Sequence, residues 1–338
     1  MTRPAWLPDN FVLSLLGVVG LALLLPVQGQ GVPVLDALTQ AAVALLFFLH
    51  GSKLSRRVVW EGLLHWRLHA LVFAATFVLF PVLGLLLRPW LEPLVGHTLY
   101  LGVLFICALP STVQSSIAFT SVARGNVAAA LCSASTSNIL GMAVTPLLMA
   151  ALAQWAGGAA DAGAVKLSWH TFEGIVFTLL LPFVAGQVLQ GWTGGWVARH
   201  KAWIRMSDQG TILLVVYGAF SAATVQGLYR QLPPLTLLAL VGISALLLAL
   251  VMPLLTVLSR VLGFSREDEI AIVFCGSKKT LASGVPMAQI LFAGQAVGLL
   301  VLPLMVFHQL QLMVCAPLAR HYADRPADAG APPATRST

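Results

Sequence analysis

Apolar runs of about twenty residues recur along the whole chain, and few sequence features restrict a fold so strongly. Bounded by Pro, Gly or charged residues, they fall at 11–27, 34–50, 68–88, 98–121, 127–153, 171–190, 208–229, 235–259, 269–292 and 296–318. A soluble core has no use for so much apolar sequence: 58% of the 338 residues are hydrophobic and mean hydropathy is +0.89. In lipid, every backbone polar group must find a partner within the protein, which leaves helices and closed barrels as spanning structures. The expected fold is therefore an all-α polytopic membrane protein with ten transmembrane helices. Residues 1–27 start like a signal peptide, with Arg3 ahead of an apolar run. The run is long and lacks a small-x-small cleavage site, so it reads as the first span.

The charges set an orientation. The cations sit between apolar spans rather than on a basic face or tail, so the formal charge of +7 does not point to nucleic acid. With the N-terminus inside, the inner segments hold Arg3, Lys53, Arg56, Arg57, Arg67, Arg124, Arg199, Lys201, Arg205, Arg260, Arg266, Arg320, Arg325 and Arg336. The outer segments hold only Arg88, Lys166 and Arg230. This positive-inside bias places both termini in the cytoplasm, with a bacterial inner (plasma) membrane as the expected location. Residues 320–338, polar and rich in Pro and Ala, read as a disordered cytoplasmic tail. The four cysteines make no CxxC or zinc spacing and read as packing residues. The histidines form no metal pair and no nucleophile–base spacing, so no catalytic residue and no metal site is expected. His308, in the last span, reads as a satisfied core residue.

The two halves correspond. Span eight begins about 167 residues after span three, and the same offset carries Pro110 to 277. Two five-helix units follow. The first, 1–153, comprises 1–50 and 68–153; the second, 171–319, comprises 171–229 and 235–319. Five is odd, so the second unit is inverted relative to the first. Paired interruptions in inverted repeats are the sequence sign of a secondary transporter whose binding site lies where the breaks meet.

The first break lies in "ALPSTVQSSIAFTSVARGN", residues 108–126. Pro110 lacks a backbone donor and frees a carbonyl one turn earlier. Ser111, Thr112, Gln114, Ser115 and Ser116 supply polar groups close to that opening. The next span carries "CSASTSN", residues 132–138, in which Ser133 and Ser137 share a face and Asn138 lies beside them. The second break is "CGSKKTLASGVP", residues 275–286. Gly276, Gly284 and Pro286 weaken the helix there; Ser277, Thr280 and Ser283 add hydroxyls. Lys278 and Lys279 fall about ten residues into the span, where a charge costs about 2.5–3.5 kcal/mol or more. On a helix they would point about 100° apart. None of the acidic residues is placed to pair with them inside the membrane. Two roles are open: binding of an anionic substrate, or an ammonium standing where a bound cation would otherwise sit, with proton loss as the coupling event.

"FCGSKKTLASGVPMA" and "SSIAFTSVARGN" resemble the bile acid:sodium symporter superfamily, and more closely its branch related to solute carrier family 10 member 7. The resemblance covers roughly residues 10–320. It implies a panel domain of spans 1, 2, 6 and 7 and a core domain of spans 3–5 and 8–10, with broken fourth and ninth helices crossing in the core. In the sodium-coupled branch that crossing binds sodium. By resemblance, its Ser-Asn pair falls at Ser115 and Ser116, and its hydroxyls on the next helix fall among Ser133, Thr136 and Ser137. A glutamine of the third span falls at Thr76, the glutamate of the second break at Ser277, and a nearby glutamine at Leu281. Lys278, Lys279 and Thr280 follow the lost acid. The chain departs from the sodium pattern where it matters: the carboxylate is gone and cations stand beside its place.

The expected function is secondary active transport of a small organic anion by alternating access, with the site at the two breaks. No cofactor is expected beyond a coupling ion, Na+ or H+, with sodium disfavoured by the lysines. The alternative is a membrane regulatory protein without transport, a reading the resemblance supplies because some members of the branch are linked to calcium handling. Substrate identity and oligomeric state are not legible.

Overall fold

The computed structural model describes residues 10–53, 65–161, 173–174, 176–227 and 233–324. Helices account for nearly all of them, and no strand occurs among the described residues. In chain order they are α1 (Asn10–Leu24), α2 (Gly31–Lys53), α3 (Trp66–Leu86), α4 (Arg88–Val95), α5 (His97–Ala108), α6 (Gln114–Val122) and α7 (Val127–Asp161). Then follow α8 (Val176–Val188), α9 (Gln190–Arg199), α10 (Lys201–Val225), α11 (Pro234–Val261), α12 (Arg266–Gly276), α13 (Leu281–Leu291) and α14 (Val297–Asp324).

Among the described residues, α2, α3, α7, α10, α11 and α14 are long and apolar enough to cross a membrane, and α8 with α9 passes as a bent pair. Large apolar side chains such as Leu16, Val78, Leu147, Val188 and Leu238 face outward, as expected of a surface solvated by lipid. The polytopic membrane fold is thus present. The span expected at 98–121 is two helices, α5 and α6, and the span at 269–292 is α12 and α13. Helix α14 runs to Asp324, five residues into the segment read as a tail. Arg3, Arg56, Arg57, Lys166, Arg230, Arg325 and Arg336, and the rest of that tail, lie outside the described residues.

Two short helices were not expected. Helix α4 is pinned by Glu92, whose carboxylate accepts from Arg88 at 2.7 Å and pairs with His97 at 2.6 Å. Helix α9 turns 92° away from α8 and carries exposed Trp192 and Trp196, a placement suited to the aromatic belt at a membrane–water interface.

The helices pack in two groups. Helices α8 and α10 pack on α2, and α1 packs on α10; α3, α5, α6, α7, α11, α12 and α14 form a second set into which α13 also packs. Helix α10 meets α13 and α14 across the boundary. Both broken helices are tied at one end. Ser265 Oγ caps α12 by accepting from the Asp268 N–H at 3.2 Å, and Glu267, Asp268 and Glu269 complement the dipole of that first turn. Asn126, whose side-chain oxygen accepts from Ala129 N–H at the start of α7, also donates to Asp268 at 2.8 Å. Its backbone N–H reaches Glu267 O at 2.9 Å.

Candidate functional site

Helix α5 stops at Ala108, and Leu109 turns extended with ψ 150°. Proline excludes the helical conformation from the residue before it, so the backbone groups around the turn at Leu109 leave the helical ladder. Buried carbonyls must be satisfied inside a membrane, so their partners can be followed one by one. Ala108 O accepts from the Thr145 hydroxyl at 2.8 Å. Pro110 O accepts from Thr280 N–H at 3.0 Å, and Ser111 O from Asn138 Nδ2 at 2.6 Å. Cys107 O and Leu109 O accept from Lys279 Nζ at 3.2 Å and 2.8 Å. Ser111 N–H donates to Ser137 Oγ at 3.1 Å.

The third acceptor of Lys279 comes from α3. A π-turn at Ala75–Leu79 sends the Phe80 N–H to Ala75 O, and the next residue, Pro81, has no N–H. Thr76 O is left without a ladder partner, and Lys279 Nζ donates to it at 2.8 Å. The Phe80 ring lies under the ammonium at 4.1 Å. Three N–H groups thus meet three carbonyls, one left by the π-turn before Pro81 and two by the extended turn before Pro110. The Lys279 backbone is clamped as well: its N–H donates to Gln311 Oε1 and its carbonyl accepts from Gln311 Nε2, both at 2.9 Å.

Lys278 sits differently. Its Nζ donates to Ser115 Oγ at 3.4 Å and lies over the rings of Phe119 at 4.3 Å and Phe274 at 5.4 Å. Both lysines are fully buried, and neither takes part in an ion pair among the described residues. Glycines allow the breaks to approach each other: a Cβ on Gly141 would come within 2.6 Å of the Pro110 ring, and one on Gly284 within 2.7 Å of Leu109.

A cavity of about 390 Å³ opens beside the crossing. Thr112, Gln114, Ser115, Thr280 and Ser283 from the breaks and Asn138 from α7 line one wall. The opposite wall, from the other helix group, carries His50, Arg205, Asp208 and Gln209. Asp208 pairs with Lys53 at 2.6 Å through Oδ2, while its buried Oδ1 has no hydrogen-bond partner. A second cavity of about 500 Å³, lined by Asp36, Gln40, Gln226 and Gln289 among others, lies nearer the other ends of α2, α10 and α13. Buried Leu46, Phe47, Val215 and Val216 fall between the two along α2 and α10.

The remaining candidates divide clearly. Thr112 and Ser115 share a hydroxyl contact at 2.5 Å, and Ser283 donates to Asn138 Oδ1 at 3.2 Å. Ser116, facing away from the cavity, ties the breaks by donating to Phe274 O at 3.0 Å. The hydroxyls of Thr76 and Ser277 bond within their own helices, to Val72 O and Val273 O. Ser133 meets His69 at 3.0 Å, Thr136 is half-buried away from the lysines' contacts, and Ser111 Oγ is buried without a partner. His308 contacts Gln311 at 2.8 Å and also borders the cavity. Sequence reasoning missed Gln311, His50, Lys53, Arg205 and Asp208. Asp208 carried a signal: it is an acid at the very start of a span, following the inner cations Arg199, Lys201 and Arg205.

Residues 9–324 match the family model described as SBF-like CPA transporter family. A Pseudomonas aeruginosa protein, PA2026, is 58% identical over 331 residues, covering 98% of each chain. The Escherichia coli protein YfeH is 51% identical over 316 residues, 93% of this chain and 92% of its own. "Sodium/bile acid cotransporter 7" of Danio rerio is 29% identical over 311 residues, 90% of each.

Proposed function

Because the chain belongs to the SBF-like CPA transporter family, a transporter of the bile acid:sodium symporter type and not an enzyme, we propose that it moves a small organic anion across a bacterial inner membrane by secondary active transport. Ten spans form two inverted repeats in this reading, with both termini in the cytoplasm. Helices α1, α2, α8 and α10 act as the panel, and the remaining spans act as the core. Rocking of one against the other exposes the crossing to each side in turn. The two cavities at opposite ends of α10 support such a path, separated by a short apolar plug.

The carrying observation is the cavity itself, shared by both breaks and walled on the panel side by His50, Arg205, Asp208 and Gln209. Arg205 attracts the anionic group of the substrate, while Lys53 neutralises Asp208. Asp208 Oδ1, buried and unpaired, takes a hydrogen-bond donor from the same molecule. Core hydroxyls and amides at Thr112, Gln114, Ser115, Asn138 and Ser283 complete the site.

Sodium does not occupy the crossing in this reading. The three freed carbonyls that would suit a small cation already hold the Lys279 ammonium, so an entering ion would have to displace a charge and orphan its bonds. The test is flux in proteoliposomes with sodium and proton gradients imposed separately over a panel of organic anions. Anion flux that needs no sodium and falls on Arg205→Ala or Asp208→Asn is the expected result. Strictly sodium-driven flux contradicts the coupling, and no flux for any anion from a well-folded preparation favours the regulatory alternative.

A further inference from the structure

The two adjacent lysines do different work, and their surroundings decide which one can change charge. We propose that Lys278, not Lys279, is the proton-binding group of the crossing, and that it exchanges its proton with the cavity through the hydroxyls of Ser115 and Thr112. The proposal rests on the transport reading above and supplies its coupling residue.

Lys279 is locked as an ammonium. Its three N–H groups serve three carbonyls, and a neutral amine with two N–H groups would leave one buried carbonyl orphaned. None of its acceptors opens to the cavity. Lys278 carries no such obligation. Its one hydrogen bond is a long one to a hydroxyl, and a hydroxyl can accept from an ammonium or donate to an amine with equal ease. The rings of Phe119 and Phe274 favour the cation but accept the neutral group as an apolar neighbour.

A route outward is present. Ser115 Oγ lies 2.5 Å from Thr112 Oγ1, and both residues line the cavity of about 390 Å³. In the step, one N–H bond of Lys278 breaks as its proton passes to Ser115 Oγ. Ser115 gives up its own proton to Thr112 or to water, and one proton reaches the cavity with no change in oxidation state. Helix α12 contributes Cys275, α14 contributes Cys315 and His308, and α6 presents only Ser115 and Phe119. His69 of α3 is held by Ser133 of α7. The Arg260–Glu269 pair, to which the Tyr322 hydroxyl also donates at 3.0 Å, lies more than two turns away from Lys278. No carboxylate therefore pins the ammonium in place.

The experiment needs no substrate. Proteoliposomes adsorbed on a solid-supported membrane are stepped in pH, and the transient displaced charge is recorded. Wild-type protein is expected to give a transient with the pH dependence of one group. Lys278→Gln and Lys278→Arg each abolish it, the second because arginine stays charged. Ser115→Ala slows it several-fold, while Arg199→Gln, on the exposed end of α9, leaves it unchanged. A transient that persists in Lys278→Arg, or is absent from wild type, overturns the proposal. Loss of anion flux with the transient intact would instead contradict the transport reading alone.

Discussion

A single ammonium holds together three carbonyls from two helices, so the consequences of removing it differ sharply from those of removing its neighbour. Lys279→Met leaves Thr76 O, Cys107 O and Leu109 O without a donor, at roughly 1–3 kcal/mol for each buried orphan. Its thermal midpoint in detergent is expected to fall well below that of Lys278→Met, which gives up one 3.4 Å contact and places a methionine between two phenylalanine rings. Equal midpoints would count against the division of roles. The lysine pair was legible as an anomaly because two cations without a carboxylate stand out in an apolar span. Which lysine did what was not legible, because the acceptors are backbone oxygens of Thr76, Cys107 and Leu109, and a carbonyl leaves no mark in the choice of side chain. The hydroxyls of Thr76 and Ser277, candidate ligands by resemblance, donate to Val72 O and Val273 O of their own helices.

At the scale of elements, Pro81 matters through the hydrogen it lacks and Pro110 through the extended turn it imposes on Leu109. Pro81 strands Thr76 O beneath the π-turn, and Pro110 opens α5. Restoring an N–H by Pro81→Ala offers Thr76 O a partner within its own helix. The double variant Pro81→Ala/Lys279→Met is therefore expected to be less destabilised than the sum of the single changes, by about 0.5–3 kcal/mol in a double-mutant cycle. Strict additivity would show that the lysine does not serve that carbonyl. Helix α4 allows a different check. Burial alone would raise the Glu92 carboxyl, but hydrogen bonds from His97 and Arg88 outweigh it and hold the group below its ordinary value. A depressed acid stabilises the fold above its ordinary pKa and loses that contribution as pH falls through the folded value. The midpoint difference between wild type and Glu92→Gln is thus expected to be largest above about pH 4.3 and to close at lower pH. The broken helices were readable from Pro, Gly and hydroxyl clusters at matching offsets. Helices α4 and α9 were not, since each is too short and too polar to register as an apolar run.

For the whole molecule, the apolar runs were enough to forecast a helical membrane protein, and the motifs at 115–126 and 274–288 pointed to its family. The panel wall of the cavity escaped because His50, Arg205 and Asp208 look, in sequence, like ordinary inner-end polar groups; only the packing of α2 on α10 turns them toward the breaks. The two helix groups meet chiefly where α10 crosses α13 and α14, which is the surface that rocking would have to shear. A cysteine pair bridging α10 and α13 is accordingly expected to stop anion flux when oxidised and to restore it on reduction. The central claim, that a built-in ammonium fills the cation position at the crossing, can be tested without knowing the substrate. Purified protein is incubated with radiolabelled sodium in a scintillation proximity assay. No saturable sodium binding to the wild type is expected; saturable binding that competes with unlabelled sodium would show that the ammonium does not fill that position.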